Sequence, residues 1–139
     1  MFVFAGDVRT LPAHMKSPQR TLRIAAGLLG FTGVGLGAFG AHGLKATLEP
    51  AGLLEIWKTA VFYQLIHAVA LFALAGWPNP AAHKIGWCWI VGVLLFSGSL
   101  YGLALGGPRL LGPITPLGGL ALLAGWLLLT WAAFRQTDA

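Results

Sequence analysis

The chain has 139 residues, of which 57% are hydrophobic and only 9% are charged. Soluble domains carry about 25% charged residues, so this composition excludes a soluble globular domain. The net charge of +5 comes from basic residues in the connections and tails, and no basic face alternates with aromatic side chains, which argues against nucleic-acid binding. Cys88 is the single cysteine, so an internal disulfide and a cysteine-based metal cluster are excluded as well.

The first predicted helix covers about residues 22–44, roughly the 20 apolar residues that cross a bilayer core. Its many glycines disfavour a helix in water, but in a bilayer they let a second helix approach closely. At about 100° per residue, the small side chains fall in one narrow stripe, which we expect to form a groove for a neighbouring helix. The stripe consists of Ala26, Gly30, Gly33, Gly37 and Gly40.

Residues 1–20 show no sustained period, so we predict a flexible N-terminal tail there and a short C-terminal tail at 136–139. A cleaved signal peptide is the alternative interpretation, with Lys16, Arg20 and Arg23 as its charged region. The apolar run that follows exceeds the usual length of about 7–15 residues for such a signal, which favours a membrane span.

The second and third predicted helices cover about residues 50–76 and 84–106. Pro50 suits the first turn of a helix, and the run Gly76-Trp77-Pro78-Asn79-Pro80 is a strong helix breaker. Along the third helix, glycine recurs at every fourth residue, which predicts a second close-contact stripe. This stripe consists of Gly98, Gly102 and Gly106.

The fourth predicted helix covers about residues 116–134. Thr115 and Pro116 supply a capping residue and a proline for the first helical position, which together indicate a helix start. Ala121 and Gly125 form a further small-residue pair on this helix, where we expect another close helix contact.

Four spans with short connections place both termini on the same side of the bilayer. Residues 21–135 are therefore predicted to form an all-α, integral membrane four-helix bundle. Cytoplasmic sides of membrane proteins carry the excess of lysine and arginine, and the N-terminal side has that excess here, so we expect cytoplasmic termini. Its cations are Arg9, Lys16, Arg20, Arg23, Lys84 and Arg135, against Lys45, Lys58 and Arg109 on the other side.

Polar side chains at offsets of three and four residues share one face of the second helix: Tyr63, Gln64 and His67. His67 lies about 15 Å beyond the interfacial Trp57, which is about half of the bilayer core. One interpretation is a histidine that handles protons or binds a ligand or metal. The other is a neutral imidazole that bonds to Ser97, Tyr101 or a backbone carbonyl and holds helices together.

His42, at the end of the first helix, completes the set of candidate polar residues. Haem ligation by His42 and His67 requires two axial ligands at one depth, but His42 is placed near a surface and His67 near the centre. No haem, metal or other cofactor is therefore predicted. The embedded parts of the spans contain no aspartate or glutamate, which removes the carboxylate from most acid–base pairs, and no catalytic residue is predicted.

Four ordered motifs resemble one known family. They are residues 37–44 (GAFGAHGL), 57–68 (WKTAVFYQLIHA), 96–101 (FSGSLY) and 114–119 (ITPLGG), followed by Gly125-Trp126. Together they resemble domain-of-unknown-function family 423, the YgdD-like small inner-membrane proteins, whose relatives include the mitochondrial transmembrane protein 256. The resemblance implies a multi-pass protein of the bacterial inner membrane and implies no activity.

Three functions stay open from the sequence. The first is a non-enzymatic packing or accessory subunit of a membrane complex, suggested by the close-contact stripes and the shortage of reactive groups. The second is a small oligomeric transporter or channel that uses the Tyr63, Gln64 and His67 face. The third is a lipid-modifying enzyme in which a histidine acts with Ser99. The expected partners are the lipid bilayer and either other membrane proteins or further copies of the chain.

Overall fold

A computed structural model of the protein describes residues 13–136, with side chains from residue 18 onward. Within this range the chain forms five helices and no strand, and four of the helices are long and apolar enough to cross a membrane. The predicted all-α, four-helix membrane bundle is thereby confirmed. The helices are α1 (Ala13–Ala41), α2 (Lys45–Leu48), α3 (Leu54–Leu74), α4 (Ala81–Ala104) and α5 (Leu111–Gln136).

The four long helices pack in chain order, each against the long helix before it. α1 packs along α3, α3 along α4 and α4 along α5, while α1 also touches α4. At the end of the bundle where α1 begins, Leu22, Leu71 and Ile85 are fully buried in the larger of two apolar clusters. At the opposite end, Leu48 of α2 and Trp57 of α3 belong to the smaller cluster.

The outer surface of the bundle is apolar, as a surface in contact with acyl chains must be. Phe31 on α1 is 81% exposed and Leu127 on α5 is 71% exposed. Lys58 and Glu55, which pair at 2.7 Å, form the one ion pair among the described residues, and they lie in the first turns of α3. Among the described residues four polar side chains are buried, and these lie between the helices, where the candidate site is found.

α1 begins earlier than predicted, at Ala13 rather than near residue 22. Residues 13–20 therefore belong to a helix that contains Pro18. The prediction placed the helix start at the start of the apolar run, but a helix continues past the hydrocarbon core into the headgroup zone, where polar groups are solvated. The rest of the two predicted tails, residues 1–12 and 137–139, lies outside the described residues.

α3 begins later than predicted, at Leu54 rather than at Pro50. Residues 45–48 form the separate short helix α2, and the chain then turns through Gly52, which has φ of 70°. A positive φ is open to glycine and strained for most other residues, so the turn at Gly52 separates α2 from α3. Pro50 lies within this turn rather than in the first turn of a helix.

α5 begins at Leu111, so Thr115 and Pro116 lie inside the helix rather than at its start. Pro113 occupies the first turn, where the missing proline N–H leaves no helical hydrogen bond unmade. Because Thr115 is not a cap, its hydroxyl is available for packing, and it lies 2.6 Å from the Ser99 hydroxyl of α4.

α4 ends in a turn that depends on Gly106, which has φ of 81°. The Gly107 N–H donates to the Gly102 carbonyl at 2.8 Å, and the Gly106 N–H donates to the Leu103 carbonyl at 3.1 Å. This is the Schellman arrangement, in which a glycine in the left-handed region ends a helix. Gly106 therefore terminates α4, and the prediction that it continues a close-contact stripe is corrected.

Replacing Gly106 with alanine is expected to lower the free energy of unfolding by about 1 kcal/mol, because a Cβ is strained at positive φ. Gly98→Ala is the matched control, since a Cβ at Gly98 meets no atom within 4 Å and alanine favours a helix by up to about 1 kcal/mol. Unfolding by SDS in mixed micelles measures both variants. Equal stability of the two variants would contradict the role assigned to Gly106.

The predicted α1 stripe packs against α3 over its C-terminal half. At Gly33, Gly37 and Gly40 a Cβ would press on an α3 side chain, so the helices approach closely there. A Cβ at Gly30 would meet nothing within 4 Å, and Ala26 is buried in the larger apolar cluster. The α3 side chains that face the three glycines are, in order, Leu65, Val61 and Trp57.

The closest helix contact joins α4 to α5, and it passes through glycines outside the predicted α4 stripe. A Cβ at Gly118 would collide with the Phe96 backbone, and one at Gly92 would collide with the Leu122 side chain. Gly125, which was predicted as a packing residue, lies against the Trp89 indole.

The members of the predicted α4 stripe lie elsewhere. Gly98 is exposed with open space beside it, and Gly102 faces Leu111 at the start of α5. Ala121, the partner predicted for Gly125, is half-buried. The signal that would have found the α4–α5 contact is a seven-residue spacing, two helical turns, which separates Gly118 from Gly125.

Candidate functional site

Five of the six candidate polar residues lie on α3 and α4, with Gln64 and Tyr101 bonded across the two helices and Tyr101 in the last turn of α4. Gln64, His67 and Ser97 are buried, and Tyr63 and Tyr101 are more accessible. The sixth, His42, lies just after α1 with an exposed side chain and does not join the cluster.

Gln64 ties three helices together through its side-chain amide. Its Nε2 donates to the Leu29 carbonyl at 2.9 Å and to the Thr32 hydroxyl at 2.8 Å, both on α1. Its Oε1 accepts from the Tyr101 hydroxyl of α4 at 2.9 Å. Gln64 is only 4% exposed, so these bonds replace water as the partners of the amide.

His67 is held in one tautomer by its two hydrogen bonds. The Trp126 indole nitrogen, which can only donate, lies 3.1 Å from His67 Nε2. Nε2 is therefore the acceptor, and Nδ1 carries the proton and donates to the Tyr63 carbonyl at 2.8 Å. Both ring nitrogens are thus occupied in a neutral imidazole that links α3 to α5.

Aromatic rings enclose His67 on the side that faces α4 and α5. The imidazole makes edge contacts with Trp89 and with Trp126, each with 6.0 Å between ring centroids. The Trp89 and Trp126 rings lie 4.6 Å apart, and the Tyr63 ring stacks over the imidazole at 6.2 Å. These rings leave His67 only 3% exposed.

Serine hydroxyls form side-chain hydrogen bonds between α3 and α4 and between α4 and α5. Ser97 of α4 donates to the Ala60 carbonyl of α3 at 2.8 Å. Ser99 donates to the Phe96 carbonyl at 2.9 Å and contacts Thr115 of α5. Each neighbouring pair of long helices therefore shares at least one side-chain hydrogen bond, since Gln64 already joins α1 to α3.

Tyr63 differs from the other members of the cluster, because it reaches the bundle surface. The side chain is 37% exposed and packs on Phe96 with 4.5 Å between ring centroids. None of the hydrogen bonds among the described residues uses its hydroxyl. As Tyr63 lies midway along α3, this hydroxyl is placed at the depth of the acyl chains.

The arrangement offers little for catalysis or metal binding. Among the described residues no three histidine, cysteine, aspartate or glutamate side chains group together. An axial haem ligand needs a free lone pair on a ring nitrogen, and the Nε2 lone pair of His67 accepts from Trp126. Ser99, the nucleophile considered from the sequence, bonds Phe96 and Thr115 rather than a histidine.

Three residues of the site were missed by the sequence reasoning: Thr32, Thr115 and Trp126. A polar side chain between apolar neighbours was the available signal for Thr32. Thr115 has the sequence signature of a helix cap, and Trp126 lies in one of the family motifs. Their partners lie on other helices, so which residues meet depends on the rotation of each helix about its axis.

The assigned tautomer predicts the spectrum of the imidazole in ¹⁵N-histidine-labelled protein. We expect Nδ1 of His67 to be protonated and Nε2 to be unprotonated and hydrogen-bonded, because Trp126 can only donate. Trp126→Phe should shift the Nε2 resonance and leave Nδ1 protonated, while Trp131→Phe serves as a control at an exposed tryptophan. A proton on Nε2 in the unaltered protein would contradict the assignment.

The four apolar spans and the polar bonds between them define a multi-pass, helical integral membrane protein. The chain belongs to the family described as Protein of unknown function (DUF423), whose model matches residues 36–119. It is similar to a UPF0382 membrane protein of Staphylococcus haemolyticus, with 45% identity over 105 residues that cover 73% of this chain and 85% of the relative.

Two further relatives extend the comparison. The UPF0382 membrane protein YwdK of Bacillus subtilis is 42% identical over 107 residues, which cover 73% of this chain and 86% of the relative. The UPF0382 membrane protein of Haemophilus influenzae is 41% identical over 125 residues, which cover 88% of this chain and 98% of the relative. No solved structure matches the chain.

Proposed function

We propose that the protein is a non-enzymatic accessory or packing subunit of a membrane-protein assembly in the bacterial inner membrane. The observation that carries this proposal is that polar side chains inside the bundle are used for hydrogen bonds within the chain. Gln64, His67, Ser97 and Tyr101 all bond within the chain. Groups that are committed to holding helices together are not available to bind or convert a substrate.

The same bonding weighs against a transporter or channel. Gln64 and His67 are buried and turned toward neighbouring helices, so they do not form a polar face that a second copy could complete into a pore. Of the three residues on that predicted face, Tyr63 alone is accessible from outside the bundle.

The Tyr63 hydroxyl supports contact with another membrane protein. A polar group without a partner is unfavourable in hydrocarbon, because no water is present to bond it. A partner helix that offers a carbonyl or side-chain oxygen at this depth satisfies the hydroxyl. The surrounding surface of Phe62 and Ile66 is exposed and apolar, so it fits the flank of such a helix.

The test is purification of the tagged chain, expressed at its native level, in a mild detergent. We expect a second membrane protein to co-purify in a fixed ratio. Tyr63→Phe should reduce its recovery, while Phe72→Leu, a change at another exposed site on α3, should leave recovery unchanged. Recovery of the monomer alone, or equal recovery with both variants, would contradict the proposal.

We also propose that both termini face the cytoplasm. The end of the bundle where α1 begins carries Arg20, Arg23, Lys84 and Arg135, and the excess of cations marks the cytoplasmic side. Reporter fusions at residue 136 that are active only in the periplasm should be inactive. An active fusion would reverse the orientation.

A further inference from the structure

Two cavities of similar size lie at opposite ends of the bundle. One, of about 490 Å³, lies between the end of α1, α2 and the start of α3. The other, of about 460 Å³, lies between the start of α1 and the α3–α4 connection, and we call it the α1–α4 cavity. The first is bordered by Lys45, Glu49 and Lys58, whereas the described residues that line the second include no carboxylate.

The lining of the α1–α4 cavity combines an apolar wall with polar groups. Leu22 and Ala82 belong to the buried apolar cluster and form part of the wall. Trp77 lies in the connection, at the level where amphipathic indole rings sit among lipid headgroups. Gln19 and His83 supply polar side chains to the lining.

Exposed cations follow the lining residues along the chain. Arg20 comes directly after Gln19, and Lys84 comes directly after His83. Among residues 18–136 this end of the bundle has four lysine and arginine side chains and no carboxylate, whereas the opposite end has three cations and two carboxylates. The two cavities therefore differ mainly in the charge that surrounds them.

We propose that the α1–α4 cavity binds an anionic phospholipid from the adjacent leaflet. Its acyl chains lie along the accessible apolar residues of the lining, Trp77, Pro78 and Pro80, and its phosphate lies among the cations beside Gln19 and His83. Anionic headgroups gain about a five-fold increase in association for each lysine or arginine near the membrane surface. The cavity therefore selects an anionic lipid over a neutral one. The cavity at the other end is surrounded by charges of both signs and does not select.

The experiment uses the full chain in vesicles of phosphatidylcholine that contain a fraction of phosphatidylglycerol. In parallel samples one of the two lipids carries bromine near its headgroup, and the quenching of tryptophan fluorescence gives the association of each lipid. We expect the phosphatidylglycerol to associate more strongly. The variant Trp77→Phe should remove most of the excess quenching, because Trp77 is the indole at the cavity.

Charge-neutralising pairs at the two ends supply the matched comparison. Arg20→Gln with Lys84→Gln should weaken relative association of phosphatidylglycerol about 25-fold, while Lys45→Gln with Lys58→Gln should leave it unchanged. All four side chains are exposed, so both pairs are expected to fold. Equal quenching by the two lipids, an equal loss with both pairs, or full excess quenching in Trp77→Phe would overturn the proposal.

Discussion

Gly118→Ala is expected to lower the free energy of unfolding by about 3 kcal/mol, at the upper end of the range for overpacking substitutions. A Cβ at this position would collide with the Phe96 backbone nitrogen and would lie 2.8 Å from the Phe96 Cα and 2.9 Å from the Gly92 carbonyl oxygen. Backbone atoms cannot move aside as a side-chain end can, so α5 must separate from α4. That separation also pulls apart the Ser99 and Thr115 hydroxyls.

The matched control for Gly118 is the neighbouring residue on the same helix. A Cβ at Gly119 would meet the Phe96 ring at 3.7 Å, an ordinary contact, so Gly119→Ala should be neutral or slightly stabilising. Reversible unfolding of each variant by SDS in mixed micelles gives the two free energies. If Gly118→Ala unfolds at the same SDS fraction as Gly119→Ala, α4 and α5 are not in backbone contact.

Gln64→Leu is expected to lower the free energy of unfolding by about 2 kcal/mol, since three hydrogen bonds between membrane helices at about 0.6 kcal/mol each are lost. The change also leaves the Tyr101 hydroxyl without its acceptor. A double-mutant cycle with Tyr101→Phe isolates that bond, and we expect a coupling energy of about 0.6 to 1.7 kcal/mol.

The cycle has a comparison at an exposed site with open space beside it. Gln64→Leu combined with Gly98→Ala should be additive, because Gly98 contacts nothing near the amide. Additive effects for Gln64→Leu and Tyr101→Phe would mean that the two side chains do not bond in the membrane. The role of Gln64 as a link between α3 and α4 would then be lost.

The spans and the depth of the polar cluster could be predicted because each depends on one helix alone. Apolar length determines a span, and offsets of three and four residues place Tyr63, Gln64 and His67 on one helix surface. Even so, these three side chains do not lie in the same environment. Gln64 and His67 turn inward to different helices, while Tyr63 reaches the outside, because neighbouring helices cover only part of that surface.

The partners across helices could not be predicted, because they depend on the rotation and register of two helices at once. Spacing by four predicted a contact through Gly98, whereas the helices meet through Gly92 and Gly118. The exact helix ends were missed for a related reason. Thr115 has a hydroxyl that could cap a helix, but α5 begins at Leu111 and Pro113 already lies in its first turn. Thr115 is therefore inside the helix, where its hydroxyl bonds Ser99.

If the polar side chains at the bundle centre bond one another, water does not reach them. Deuterium exchange of side-chain protons in lipid bilayers tests this most directly. The Trp126 indole proton, which His67 accepts at mid-span, should exchange far more slowly than the indole proton of Trp131. Trp131 is exposed and lies beside Arg135 at the helix end, where water is present. Exchange of Trp126 as fast as that of Trp131 would show that water reaches the centre, and the polar residues there would then line a path rather than hold the helices together.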